Sequence, residues 1–181
     1  YKNLEIKRGY KENDLLGGLD PYSASKGSAE FIIQSYLNSY FFKNNKVCIG
    51  IARAGNVIGG GDWSENRLVP DCVKSWSKNT SVILRNPNST RPWQHVLEPI
   101  SGYLALGEEL IKTGLTDGEA FNFGPAEEDA KPVQWIVEYL TQSWGNGARW
   151  HIDGGTHPHE AHYLKLDCSK ARARLGWKPQ W

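Results

Sequence analysis

The chain has 181 residues, 39% of them hydrophobic and 23% charged, with a formal net charge of +1. That length suits one domain with a sizeable core. The near-balanced charge excludes disorder by self-repulsion and argues against broad attraction to nucleic acid or an anionic membrane, and no apolar run approaches the roughly 20 residues of a membrane span.

Residues Tyr1 to Asp20 are polar, contain Gly17-Gly18, and read as a loop. From Ser23 to about Phe42 the apolar positions Ala29, Ile32, Ile33, Tyr36, Leu37, Tyr40 and Phe41 recur at helical spacing, in a stripe wider than one packed face requires. The excess predicts either a second buried face or a homodimer through the helix 23–42. Val47 to Ala52 is a short apolar run without alternation, as in an interior parallel strand. After the loop Gly59-Gly60-Gly61-Asp62, a helix is expected over Leu68 to Trp76, a strand over Val82 to Leu84 and a turn-rich loop from Asn86 to Arg91. Leu97 to Ile111 reads as a helix, Ala120 to Phe123 as a strand, and Val133 to Trp144 as a helix opened by Pro132. A strand at Trp150 to Asp153, a loop from Gly154 to His162 and a strand from Tyr163 to Leu166 follow. The last helix, Ser169 to Leu175, is expected to be capped by Ser169 and ended by Gly176. Strands alternating with helices predict an α/β fold with a parallel sheet.

Tyr22 and Lys26 form Y-x-x-x-K at the opening of the first helix, and the i, i+4 spacing puts both side chains on one face. A phenol is a poor base at neutral pH, but a cation held beside it stabilises the phenolate. Such a pair can take a proton from a sugar hydroxyl while hydride leaves the same carbon. The pattern by itself is short, and a surface Tyr with a solvated Lys reads the same way.

Longer stretches give it context: Asp20-Pro-Tyr-Ser-Ala-Ser-Lys26, Arg53-Ala-Gly-Asn-Val-Ile-Gly-Gly-Gly-Asp-Trp63, Arg67-Leu-Val-Pro-Asp71 and Thr90-Arg-Pro-Trp-Gln-His-Val-Leu-Glu-Pro99. In that order they resemble the extended short-chain dehydrogenase/reductases acting on nucleotide sugars, the NAD-dependent epimerase/dehydratase family, over essentially the whole chain. The resemblance implies the C-terminal part of a Rossmann-like fold with its smaller substrate-binding domain, the N-terminal nucleotide-binding half being absent. Residues 1–56 would be the remainder of the Rossmann-like domain with the catalytic helix. Residues 57–181 would be mostly the substrate domain, with 92–125 packing back on the Rossmann sheet.

The resemblance also implies NAD as cofactor and a CDP-hexose as substrate, dehydrated by oxidation at C4, loss of water and return of hydride to C6. By the same resemblance Tyr22 would be the base and Lys26 would lower its pKa and hold the nicotinamide ribose. Asn56, Arg67 and Arg91 would border the substrate, Arg91 binding the diphosphate, for which a guanidinium fork is apt. Asn122 and Glu160 would line the pocket. A nucleotide-sugar 4-epimerase shares Tyr22, Lys26 and the diphosphate arginine, and remains an alternative. A third reading is an inactive binding or dimerisation fragment, since the chain lacks methionine, begins at Tyr1 and carries no G-x-G-x-x-G turn for a dinucleotide.

Other chemistries fit less well. His157, His159, Glu160 and His162, with His151 upstream, suggest a metal site, but HEAH is not H-E-x-x-H and the segment holds Gly154-Gly155 and Pro158, so no metal is expected. No G-x-S-x-G occurs. Cys48, Cys72 and Cys168 are odd in number, far apart and without C-x-x-C spacing, which argues for a reducing, cytoplasmic compartment rather than a disulfide framework. Cys48, inside an apolar run, is expected in the core.

Overall fold

A computed structural model describes residues 1–41, 47–155 and 162–181. Its helices are α1 (Pro21–Tyr36), α2 (Leu68–Ser77), α3 (Leu97–Lys112), α4 (Val133–Trp144) and α5 (Ser169–Leu175). Its strands are β1 (Ile51–Ala54), β2 (Asn56–Ile58), β3 (Val82–Leu84), β4 (Thr90–Arg91), β5 (Trp93–His95), β6 (Ala120–Phe123), β7 (Lys131–Pro132) and β8 (Trp150–Ile152). The strands pair as β1–β6, β2–β5 and β3–β8, all parallel, and β4–β7, antiparallel. The fold is α/β with parallel strand pairs, as the alternation of elements predicts.

Helix α1 starts two residues earlier than its apolar pattern, because Asp20 caps it and Pro21 suits the first helical position: Asp20 Oδ1 accepts from the Ser23 amide at 2.9 Å. Beyond Tyr36 the helix widens to a π turn, Leu37–Phe41, whose Leu37 is buried beside Gly118; Phe42 lies outside the described residues. The expected strand at Val47 is displaced to Ile51–Ala54. The backbone of Ile49 is already committed, its N–H to Asp117 Oδ1 and its carbonyl to the Gly118 amide, each at 2.7 Å. Cys48 consequently lies exposed rather than in the core. Tyr163 and Leu166 form isolated bridges, to Thr90 and Tyr10, in place of the expected strand. At α5 the capping oxygen comes from Asp167, whose Oδ1 accepts from the Ser169 amide at 2.8 Å, and not from Ser169 itself. Gly176 ends the helix at φ 62°, the left-handed conformation glycine accepts without a Cβ penalty.

Two cores result. The first joins Tyr10, Leu106, Phe121, Phe123, Leu166, Cys168, Ala171 and Trp177, so the polar N-terminal loop and α5 both pack against β6. Gly102 lets α3 approach: a Cβ there would stand 2.2 Å from the Phe123 ring. The second joins Cys72, Trp76, Val82, Leu84 and Val137, from α2, β3 and α4. Among the described residues no helix is long and apolar enough to cross a membrane.

Candidate active site

Between β2, the start of α2, the end of β3 and the β4–β5 segment lies an open cavity of about 490 Å³. Asn56 begins β2, opposite Trp93 of β5, and both border the cavity. Arg67 precedes α2, its carbonyl accepting from the Asp71 amide at 2.9 Å. Arg91 sits in β4 opposite Lys131, and its Nη1 donates to the Thr90 carbonyl at 3.0 Å. Three residues distant in sequence and expected at the substrate are thus brought to one cavity.

The same cavity contains residues that motif reading did not single out. Arg85 follows β3, and Asp62, Asp71 and Asp153 also line the wall, so three arginines are interspersed with three carboxylates. Burial raises the Asp71 carboxyl above its ordinary value, against the pull of Lys74 and Arg85. Asp62 is held low by hydrogen bonds from the Ser64 amide and side chain. Asp71 was reachable from sequence, since it falls four residues after Arg67 and therefore over the same face of α2. Arg85 and Asp153 depend on the β3–β8 pairing, which no local pattern announces.

Tyr22 and Lys26 are both exposed at the opening of α1, with the Lys26 Nζ 5.9 Å from the Tyr22 ring centroid. Neither lines the cavity.

Asn122 does not line the cavity either. It is fully buried, and its amide is saturated: Oδ1 accepts from the Tyr1 hydroxyl at 2.5 Å, and Nδ2 donates to the carbonyls of Tyr10 at 2.8 Å and Asp167 at 3.1 Å. Each polar atom of its amide is thus engaged within the chain, where it ties the N-terminal loop and Asp167 to β6. Around it Arg53 binds Glu30 through two nitrogens, at 2.8 and 2.5 Å, and the Tyr1 hydroxyl at 2.7 Å. Burial pushes the Tyr1 phenol up to about 12, more than Arg53 lowers it. Glu160, with His157 and His159, lies outside the described residues.

Residues 3–181 match the family described as GDP-mannose 4,6 dehydratase. The chain belongs to that family. It is 52% identical over its whole length to CDP-glucose 4,6-dehydratase of Salmonella typhimurium, covering 52% of that protein. It is 27% identical to dTDP-glucose 4,6-dehydratase of Haemophilus influenzae over 88% of this chain and 47% of the relative. The chain thus spans about half the length of the curated relatives it matches. In fold it is similar to a UDP-glucuronic acid 4-epimerase of Bacillus cereus, with a TM-score of 0.82 over 96% of this chain and 52% of that one at 21% identity. A dTDP-glucose 4,6-dehydratase of Bacillus anthracis superposes with a TM-score of 0.75 over 99% of this chain and 55% of that one at 20% identity. The fold is therefore that of the Rossmann-like extended short-chain dehydrogenase/reductases.

Proposed function

We propose that the protein to which this chain belongs dehydrates a nucleotide hexose with NAD, converting CDP-glucose to CDP-4-keto-6-deoxyglucose. The observation that carries this reading is the 52% identity to a CDP-glucose 4,6-dehydratase along the whole chain. The gathering of Asn56, Arg67 and Arg91 on one cavity supports it. A planar guanidinium offers paired donors to a diphosphate, and the cavity provides two more arginines near Arg91.

Tyr22 and Lys26 are the acid–base pair of this reading. The phenolate accepts the proton of the sugar O4 hydroxyl, and the ammonium stabilises that phenolate. NAD, when bound, supplies the hydride acceptor at C4 and the donor at C6. With C4 a ketone, the neighbouring C5 proton becomes acidic, and water is lost across C5 and C6. The Lys26 donors and the Tyr22 phenol suit ribose hydroxyls. A dinucleotide pyrophosphate is different: the described helices open at Asp20, Arg67, Val96, Pro132 and Cys168, and none follows a strand directly through a glycine-rich turn. The residues present fit the nicotinamide ribose and leave the pyrophosphate to other parts of the protein.

Other expectations belong to the same reading. Residues 1–56 with 92–125 form the Rossmann-like side and most of 57–181 the substrate side; the two cores support this division, with α5 joining the first. A homodimer through the helix 23–42 is supported by Phe31, Ile32, Tyr36 and Tyr40, all at least 53% exposed, and by Gly27 being the one buried residue of α1. Three free thiols suit a cytoplasmic, reducing setting.

The test is direct. Incubation of the full-length protein with CDP-glucose and NAD should yield a CDP-sugar lighter by one water. A product isomeric with the substrate would replace this reading by epimerisation.

A further inference from the structure

Asp71 poses a chemical problem for a cavity that receives a diphosphate. Its carboxylate lies part-buried in the wall, and among the described residues it accepts no side-chain or backbone hydrogen bond. Lys74, one turn further along α2, donates its Nζ to the Trp63 carbonyl at 2.6 Å. A phosphate oxygen set against that carboxylate would be repelled. The sugar is not its partner either, because the sugar must reach Tyr22, which stands outside the cavity wall. The remaining part of a nucleotide sugar is the base.

The surroundings suit a flat heterocycle. Leu68, Ile83, Leu84 and Val133 line the same cavity and offer apolar faces. Asn86 lines it too, and its Nδ2 is buried without a hydrogen-bond partner among the described residues. An amide can turn to serve the Watson–Crick edge of either pyrimidine type, because it carries a donor and an acceptor side by side. A carboxylate cannot. It accepts from the exocyclic amine of cytosine, whereas the O4 of uracil or thymine would set acceptor against acceptor and leave both unpaired.

We infer that Asp71 is the specificity-determining residue of the cavity, selecting a base with an exocyclic amine, cytosine, over uracil and thymine. The inference rests on the reading of this protein as a nucleotide-sugar enzyme and adds the residue that reads the base.

Isothermal titration of the NAD-loaded full-length protein with CDP, UDP and dTDP tests it. Wild type should bind CDP at least about tenfold more tightly than UDP or dTDP, the lower range for a hydrogen bond to a charged group. In Asp71→Asn, nearly isosteric, that ratio should fall to within about threefold. UDP should bind the variant more tightly than wild type, a gain that partial unfolding cannot produce. An unchanged ratio in Asp71→Asn overturns the inference, as does a wild type that does not prefer CDP over UDP and dTDP. Those results leave nucleotide-sugar dehydration standing if any nucleotide hexose is converted. Absence of conversion with every nucleotide hexose overturns that underlying reading instead.

Discussion

Helices α1 and α2 are packed in different ways. Helix α1 carries Tyr22 and Lys26, yet Gly27 is its single buried residue, and Tyr22 is 70% exposed. Helix α2 buries Pro70, Cys72 and Trp76, and its first turn, with Leu68 and Asp71, lines the cavity. A wall that holds a nucleotide has to be rigid before ligand arrives, and α2 is fixed by the second core. In the proposed function, the proton-transferring pair takes its shared face and its cation from one helical turn of α1.

The contrast can be broken most forcefully in α2. Trp76 is 3% exposed and its Nε1 donates to the Arg149 carbonyl at 2.9 Å. Trp76→Ala should therefore lower stability by about 3 to 5 kcal/mol and weaken nucleotide binding with it. Denaturant unfolding of the full-length protein checks the first effect; a change under about 1 kcal/mol would mean that α2 is not anchored as described.

The complementary change is in α1. Tyr22→Phe removes a hydroxyl from an exposed position, so stability and nucleotide-sugar affinity should stay close to wild type. Turnover should fall at least about 100-fold, the low end for loss of a general acid–base group. Steady-state kinetics separate the two; near-normal turnover would exclude Tyr22 as the base.

How much of this was legible in the sequence follows the same division. Local signals gave the body of α1 and, through the Tyr22–Lys26 spacing, its shared face, but the apolar pattern set its start two residues late, at Ser23. They also gave α2 to α5 and β3 and β6 nearly to the residue. What local pattern could not give was non-local pairing. Strands β2 and β5, three residues each, exist because they pair with one another, and β1 shifted because Asp117 and Gly118 claim the backbone of Ile49. Asn122 was expected at the pocket from the resemblance alone, and its bonds to Tyr1, Tyr10 and Asp167 can be seen only in three dimensions. Arg85 and Asp153 were overlooked for the same reason, since the cavity assembles them through the β3–β8 pairing, whereas Asp71, one turn after Arg67, could have been found from spacing alone.

The smallest expected effect lies in the N-terminal loop. Asp14 is held down to about 2 from 3.8, first by the hydrogen bond from Arg8 and then by that from the Lys11 amide. Its folded value is below the unfolded one, so the stabilisation is present above pH 3.8 and is lost as pH falls toward about 2. Asp14→Asn should flatten the melting temperature profile slightly across that window and leave it unchanged near neutrality. Thermal melts over that acid range check it.

The central claim is that the cavity beside α2 receives the nucleotide diphosphate, and Arg91 tests it most directly. Isothermal titration of the full-length protein with CDP-glucose and, separately, with free glucose should show Arg91→Ala weakening only the first, by about 1.5 to 3 kcal/mol, the range for hydrogen bonds to charged groups. Arg91→Lys should restore part of that loss, since an ammonium supplies the charge without the fork. Equal losses for both ligands, or undiminished affinity for CDP-glucose, would place the diphosphate elsewhere and contradict the account.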